Sequence, residues 1–116
     1  MAEHTRGQAA ALQLPGARFL IVEARYYENV GAMLHEGARA AIEAAGASVE
    51  TVAVPGARAL MEMSVARKLA LGNGILTVDT LAQAEQRADP RHGDKGGDAA
   101  RAALALAALK RSLGAL

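Results

Sequence analysis

Apolar residues along this chain fall into short unbroken runs and into longer stretches with helical spacing. Residues 18–23 (RFLIVE) and 75–78 (ILTV) form short runs of the kind expected for strands of a parallel sheet covered on both faces. Residues 48–54 predict another strand, ending at Pro55. Between the strands at 18–23 and 48–54, residues 29–45 carry apolar side chains at helical spacing, which predicts a helix. Asn29 is its predicted N-cap and Gly46 is its stop. Strand, helix and strand at this spacing predict a βαβ unit with a right-handed crossover.

Three further helices are predicted in the second half of the chain. Residues 58–71 are rich in strong helix formers. Residues 81–88 form a short helix with Thr77, Asp79 or Thr80 available as its cap and Pro90 as its stop. Residues 97–113 are apolar around most of the helix circumference. Such a helix either forms an interface or is otherwise buried, and the pattern alone leaves both open.

Composition narrows the class of protein. With 116 residues, the chain has room for one domain, and 52% hydrophobic but only 3% aromatic residues predict an aliphatic, alanine-rich core. A net charge of +1 argues against nucleic-acid partners, and no apolar run approaches the length of a membrane span. The absence of cysteine fits a reducing cytoplasm. Residues 1–16 make a poor signal peptide and are expected to be a flexible arm that ends at Pro15-Gly16, before a single domain over 17–116.

Two places along the chain carry candidate chemistry. Arg91, His92 and Lys95 lie together in the loop RHGDKGG, with Arg87 just before it and a helix start just after it. Cations beside a helix N-terminus suit an anionic group, although solvated loop charges explain the same residues and the glycines match no nucleotide motif. Tyr26 follows the first strand at its carboxyl end, where open α/β sheets bind ligands. It either stacks on a flat heterocycle or packs at the edge of the core.

Three blocks of the chain resemble the lumazine synthase family (6,7-dimethyl-8-ribityllumazine synthase, the riboflavin synthase beta-chain family) of riboflavin biosynthesis. They are ARFLIVEARYYENVGAMLHEGARAAIEAAGA, VETVAVPGA, and GNGILTVDTLAQAEQRA followed by HGDKGGDAARAAL. They stand in family order and cover about 90 residues. The resemblance implies a three-layer, flavodoxin-like α/β fold, in which a parallel sheet is flanked by helices.

The chain departs from the family pattern at residues 57–58. In the family, the VPGA turn leads into a helix, a third strand and a loop that carries phosphate-binding groups and the histidine assigned to proton transfer. This sequence steps from VPGA directly to RALM, so about 40 residues, the order of a crossover unit with its strand, are missing. Because the family sheet has the order 2-1-3-4, the missing strand is an internal one. We therefore expect a marginal fold, or one that depends on oligomerisation.

The resemblance also assigns roles to residues of this sequence. Tyr26 would stack on the pyrimidine, and Gly56 and Ala57 would offer backbone near the ribityl chain. Asn73 would lie near the ring from a neighbouring subunit. Arg87 would hold the substrate phosphate, and Lys95 would lie close to the ring or phosphate. Asp98 matches the family's acidic residue that faces the histidine. The resemblance assigns no catalytic residue, and His92 does not replace the missing histidine.

The family condenses 5-amino-6-(D-ribitylamino)uracil with 3,4-dihydroxy-2-butanone 4-phosphate, and it uses no metal or organic cofactor. The resemblance implies pyrimidine and sugar-phosphate substrates, a pentamer-based homo-oligomer, and riboflavin synthase as a partner. Three hypotheses remain. The protein is a lumazine synthase transferase whose central segment is missing from the sequence, a truncated inactive homologue that acts as an assembly or scaffold subunit, or a small anion-binding α/β module.

Overall fold

The computed structural model describes residues 12–25, 27–54, 72, 74 and 80–114. Within them lie two strands, β1 (Arg18–Glu23) and β2 (Ser48–Ala53), and three helices, α1 (Glu28–Ala44), α2 (Leu81–Ala88) and α3 (Lys95–Ser112). The strand predicted at residues 75–78 and the helix predicted at 58–71 lie outside the described residues.

The two strands form a parallel pair. Their register runs from Arg18 opposite Ser48 to Glu23 opposite Ala53, and α1 makes the crossover between them. Described residues contribute two strands to this sheet, in the order β1-β2. The predicted class, an α/β fold with a flavodoxin-like parallel sheet flanked by helices, is confirmed.

Helix α1 packs against both the sheet and α3. Its buried residue Ile42 lies in one cluster with Ala47 and with Ala100 of α3, and Phe19 and Val49 of the sheet pack against that cluster. The opposite side of β1 and β2 presents Leu20 and Val52, which are 51% and 43% exposed. The core is therefore aliphatic and rich in alanine, as the composition predicts. Two further clusters extend it, Leu14 with Ala45 and Leu104, and Val30 with Ala84 and Ala88.

The segment before β1 belongs in part to the packed domain. Leu14 is buried, and its backbone N–H donates to the carbonyl of Ala45 at 2.8 Å. Gly16, with φ +83°, provides the predicted turn. The flexible arm predicted for residues 1–16 stays a prediction for residues 1–11, while residues 12–16 pack against the end of α1.

Helix ends show which local signals operate. Thr80 caps α2 by accepting from the backbone N–H of Gln83 at 3.2 Å, as predicted. The predicted Asn29 cap of α1 is wrong, because the N-cap position is Tyr27 and no side chain caps it. Asn29 lies in the first turn and donates its side-chain amide to Glu85 of α2 at 2.8 Å. The side chain of Asn29 therefore joins α1 to α2 and does not cap its own helix.

Close contact between helices depends on glycine. A Cβ at Gly96 of α3 would meet the backbone carbonyl of Leu34 in α1, with its carbonyl carbon at 2.7 Å and its Cα at 2.9 Å. Both neighbours are backbone atoms, so the methyl group has no flexible side chain to displace. The helices α1 and α3 therefore approach each other as closely as glycine allows.

No helix within the described residues has the length and apolar character needed to cross a membrane.

Candidate functional site

The turn between α2 and α3 is organised around Asp89, which is 8% exposed. Its carboxylate accepts from Arg91 three times, from the backbone N–H at 2.9 Å, from Nε at 3.1 Å and from Nη2 at 2.8 Å. The side-chain bond from Arg91, followed by the backbone bond, lowers the pKa of Asp89 to about 2. The carbonyl of Asp89 accepts from the N–H groups of His92 at 2.9 Å and Asp94 at 3.0 Å. Arg91 therefore holds the shape of the turn.

This turn folds back onto the end of α2. The N–H of Gly93 donates to the carbonyl of Gln86 at 3.0 Å, and a Cβ at Gly93 would stand 2.7 Å from the Cα of Arg87. His92 is thereby brought beside Arg87. Together with neighbouring amides they line an open cleft of about 500 Å³, whose lining residues are Gln83, Gln86, Arg87, His92 and Gly93. A guanidinium, an imidazole and two amides can all donate hydrogen bonds, so the cleft suits a small anion.

Helix α3 begins with a second polar cluster. Asp94 has a left-handed backbone (φ 48°) and caps the helix by accepting from the N–H of Gly97 at 3.2 Å. Arg101, one turn further along, donates to Asp94 at 2.9 Å and to Asp98 at 2.7 Å. Burial acts to lower the pKa of Arg101, but its bonds to Asp98 and Asp94 outweigh this effect and raise the pKa. Arg101 thus holds the Asp98 carboxylate in one position.

The seven predicted site residues fall into three groups. Arg87 lines the cleft, and its role in binding an anion stays a prediction. Lys95 is the first residue of α3 and Asp98 lies one turn on, but neither is among the residues that line the cleft. The remaining four lie outside the described residues: Tyr26, Gly56, Ala57 and Asn73.

Sequence reasoning missed several polar residues of this region. Gln83 and Gln86 share with the predicted residue Arg87 a spacing that puts side chains on one face of a helix, so the sequence held a signal for both glutamines. The ion pair of Arg101 with Asp98 could be predicted, because the two residues are three positions apart on one helix. Its ion pair with Asp94 could not, because it depends on the left-handed backbone of Asp94 at the helix cap. His35 hydrogen bonds to Thr51 at 2.8 Å, so it joins α1 to β2.

Metal ligands do not gather anywhere in the described part of the chain. No group of three or more His, Cys, Asp or Glu side chains among those residues is placed to hold a metal ion.

Comparison with known proteins decides the family. A family model described as 6,7-dimethyl-8-ribityllumazine synthase matches this chain over residues 16–58 and again over 57–111. The chain belongs to the 6,7-dimethyl-8-ribityllumazine synthase family. Both matches together take in the sheet, all three described helices and the turn with Arg87 and His92.

Relatives that carry this name cover most of the chain. The 6,7-dimethyl-8-ribityllumazine synthase of Methylocella silvestris is 50% identical over 147 residues, which span 87% of this chain and 90% of the relative. The Azorhizobium caulinodans synthase is 40% identical and spans 90% of this chain and 93% of its own length. The Beijerinckia indica synthase is 39% identical and spans 98% of this chain and 89% of its own.

The alignments to these lumazine synthases are longer than the chain itself. In the Methylocella alignment, 87% of 116 residues is about 101 residues, so about 46 of the 147 positions have no residue of this chain. The Beijerinckia alignment has 161 positions against about 114 residues, a difference of about 47. The family model breaks at residues 57–58. The sequence analysis placed the missing segment, which includes one internal strand of the family's sheet, at the same two residues.

Proposed function

We propose that this protein is a lumazine synthase subunit, which condenses 5-amino-6-(D-ribitylamino)uracil with 3,4-dihydroxy-2-butanone 4-phosphate and releases phosphate and water. The observation that carries the proposal is that both halves of the chain match the one family model in order. Relatives named as this synthase align with the same halves. In the proposed reaction the protein positions the substrates and transfers protons, and no cofactor takes part.

The geometry supports a phosphate-binding role for Arg87. Its guanidinium lines a cleft with amides of α2 and with the turn that follows, and Gly93 allows that turn to approach closely. A planar guanidinium is well suited to bind phosphate oxygens in pairs. We assign the phosphate of the four-carbon substrate to this cleft.

The start of α3 supports an acid–base role for Asp98. Arg101 donates to its carboxylate at 2.7 Å, which limits the rotation of the carboxylate. A carboxylate held in this way can orient a histidine that transfers protons. Lys95 would lie beside the ring or phosphate. Tyr26, Gly56, Ala57 and Asn73 keep the roles that the family resemblance implies, namely ring stacking by the tyrosine and backbone or side-chain contacts to ribityl chain and ring by the others.

The proposal includes a missing segment. The family's phosphate loop and its proton-transfer histidine would fall in the roughly 46 aligned positions without a residue of this chain, at the break near residues 57–58. A proton-transfer group contributes typically about 10²–10⁴-fold to the rate. The chain as written should therefore turn over slowly at best, and restoring the segment should restore the rate.

Assembly belongs to the same proposal. Two leucines of α3 and the leucine that directly follows the helix are 42%, 53% and 73% exposed, namely Leu106, Leu109 and Leu113. Their i, i+3, i+7 spacing places them on one side of the helix. This stripe supports a homo-oligomer, which we propose to be pentamer-based as in the family, with riboflavin synthase as a further partner and the cytoplasm as the site of action.

A graft tests the proposal directly. The intact mass of the purified protein is measured first, because 11.9 kDa corresponds to the chain as written and a larger mass to a chain that contains the segment. If the mass is 11.9 kDa, the unmatched residues of the Methylocella relative are inserted between Ala57 and Arg58. Lumazine formation from the two substrates is then followed by absorbance.

The grafted protein is expected to form lumazine at least about 100-fold faster than the ungrafted chain. The matched control is the same graft with Arg87→Gln, which should raise KM for the butanone phosphate about tenfold or more. A folded graft that forms symmetric oligomers but makes no lumazine would contradict the proposal and would favour a scaffold subunit.

A further inference from the structure

Arg25 stands in the turn that leads from β1 into α1. Its Nε lies 2.9 Å from one carboxylate oxygen of Glu23, the last residue of β1, and its Nη2 donates to the other oxygen at 3.3 Å. A third nitrogen, Nη1, lies 3.6 Å from the carboxylate of Glu28, the first residue of α1. The guanidinium therefore links both ends of the turn, and it binds Glu23 with the fork geometry that arginine offers to a carboxylate.

The aliphatic stem of Arg25 is held by α1. A Cβ at Gly31 would stand 2.7 Å from Cγ of Arg25 and 2.8 Å from its Cδ, so the stem lies against the bare backbone of this glycine. The hydrogen bond to Glu23 raises the pKa of Arg25, although burial opposes this effect, so the cation is stabilised where it lies. Stem and guanidinium are thus both held, and the side chain is 29% exposed.

The helix end of this turn lacks a side-chain cap in the described part of the chain. The carbonyl of Tyr27, the N-cap residue of α1, accepts from the N–H of Gly31 at 2.9 Å, but no side chain caps the helix there. Asn29 is bonded to Glu85 of α2. Arg25 therefore supplies a side-chain connection between the end of β1 and the first turn of α1.

We infer that Arg25 is a positioning residue for the pyrimidine substrate, because its hold on Glu23 and Gly31 sets the direction in which the ring of Tyr26 points. The inference rests on the proposed function, which gives Tyr26 its stacking role. Tyr26 stands in the chain between Arg25 and Tyr27, at the carboxyl end of β1, where open α/β sheets bind ligands. Few backbone conformations are allowed to a residue whose neighbours are both fixed. Stacking needs such a fixed ring, since aromatic pairs are favourable only in certain geometries.

The tyrosines of the chain make the ring observable. The sequence has two tyrosines and no tryptophan, and Tyr27 is 60% exposed, so Tyr27→Phe leaves Tyr26 as the single tyrosine. In this background, the full chain is measured without substrate by near-ultraviolet circular dichroism. The tyrosine band is strong for a ring held in one direction and weak for a ring that samples several rotamers. We expect a strong band from Tyr26.

Two variants release the ring from different sides. Arg25→Lys keeps the charge but loses the fork, and Gly31→Ala keeps Arg25 but places a methyl group where its stem lies. Each should remove at least about half of the Tyr26 band, because the ring then samples further rotamers. Far-ultraviolet circular dichroism should stay unchanged, since a partly exposed ion pair contributes little to stability. Arg39→Lys is the matched control and should keep the band, because Arg39 pairs with Glu43 at 2.7 Å within α1.

The grafted protein adds a kinetic test. In the graft, Arg25→Lys should raise KM for the pyrimidine about two- to tenfold, the range that an aromatic contact is worth. The KM for the butanone phosphate and kcat should stay unchanged, because only the binding of the pyrimidine is weakened. A merely structural role of Arg25 would instead lower kcat or shift both KM values together.

Either of two results overturns the inference. One is a Tyr26 band that is absent before Arg25 is changed or that survives in both variants, and the other is an equal rise of both KM values. Because the ring is measured without turnover, this result does not depend on lumazine formation. Lumazine formation by a graft whose band is indifferent to Arg25 would leave the proposed function standing and reject the inference. A band that requires Arg25, in a folded graft that makes no lumazine, would reject the reaction and keep Arg25 as the residue that sets the ring.

Discussion

Replacing Gly96 by alanine is the sharpest test of the packing between α1 and α3. The new Cβ would meet the backbone of Leu34, with the carbonyl carbon at 2.7 Å. Ordinary contact for such an atom begins at 3.4 Å, so the shortfall is about 0.7 Å and is larger against the carbonyl oxygen. Because the obstacle is backbone, the two helices must move apart, which disturbs the buried residues Ala100 and Leu104 further along α3.

The expected magnitude is the difference between two opposing effects. Overpacking of this kind costs about 1–3 kcal/mol, while replacing glycine by alanine in a helix gains up to about 1 kcal/mol. Gly96 lies in the first turn of α3, where that gain is smaller. We expect a net loss of about 1–2 kcal/mol in the free energy of unfolding, or roughly 4–8 °C in Tm for a domain of this size.

Gly31→Ala in α1 is the matched control. Its Cβ would meet Arg25, with Cγ at 2.7 Å and Cδ at 2.8 Å, but this side chain is flexible and 29% exposed. To make room, Arg25 must rotate and give up its ion pair with Glu23 at 2.9 Å, a cost of about 0.2–1 kcal/mol. The gain in helix propensity offsets this cost, so the control should stay close to the stability of the unmodified chain. Both variants are followed by circular dichroism during thermal and urea unfolding. Equal or higher stability for Gly96→Ala than for the control would refute the close helix crossing.

Three further perturbations probe the polar clusters. Arg101→Met keeps the aliphatic stem but leaves two aspartates without their cation, and it should lower the free energy of unfolding by about 2 kcal/mol, measured as the urea midpoint; an unchanged midpoint would argue against the bridge. The pKa of Asp89 is lowered from 3.8 to about 2 on folding, so its contribution to stability is present above pH 4 and is lost as the pH falls toward 2. Asp89→Asn should therefore flatten the pH dependence of Tm in that window, and a curve as steep as that of the unmodified chain would contradict the role of Arg91. Thr80→Ala should lower stability by about 1 kcal/mol through loss of the α2 cap, whereas Thr80→Ser should stay close to the unmodified chain.

Secondary structure was predictable wherever local signals were strong. The unbroken apolar run of β1 gave its bounds, Arg18–Glu23, and α2 begins and ends where Thr80 and Pro90 predict. The start of α3 was predicted two residues late, because the prediction left Lys95 and Gly96 in the loop and began the helix at Gly97. Asp94 takes a left-handed conformation and caps the helix ahead of them. Glycine has a low helix propensity, but Gly96 lies inside α3 because the close contact between α1 and α3 leaves no room for a Cβ there.

The candidate site was predictable by residue but not by arrangement. The family pattern assigned Arg87, Lys95 and Asp98, but only the folded turn shows that Arg87 shares its cleft with His92. Asp98 is instead held by Arg101. The arrangement of the turn depends on the close approach of Gly93 to Arg87, a contact that no spacing along the chain encodes.

By itself, the sequence determined the α/β class, the βαβ unit, the alanine-rich core and the family, because these depend on the period of apolar residues and on blocks of contiguous residues. The tertiary structure alone decided which helix ends are capped, how closely α1 and α3 approach, and which cations share a cleft. These features depend on contacts between residues far apart in the chain, such as Asn29 with Glu85 and Gly96 with Leu34. The free energy of such contacts is set by distance in space, which a one-dimensional pattern does not contain.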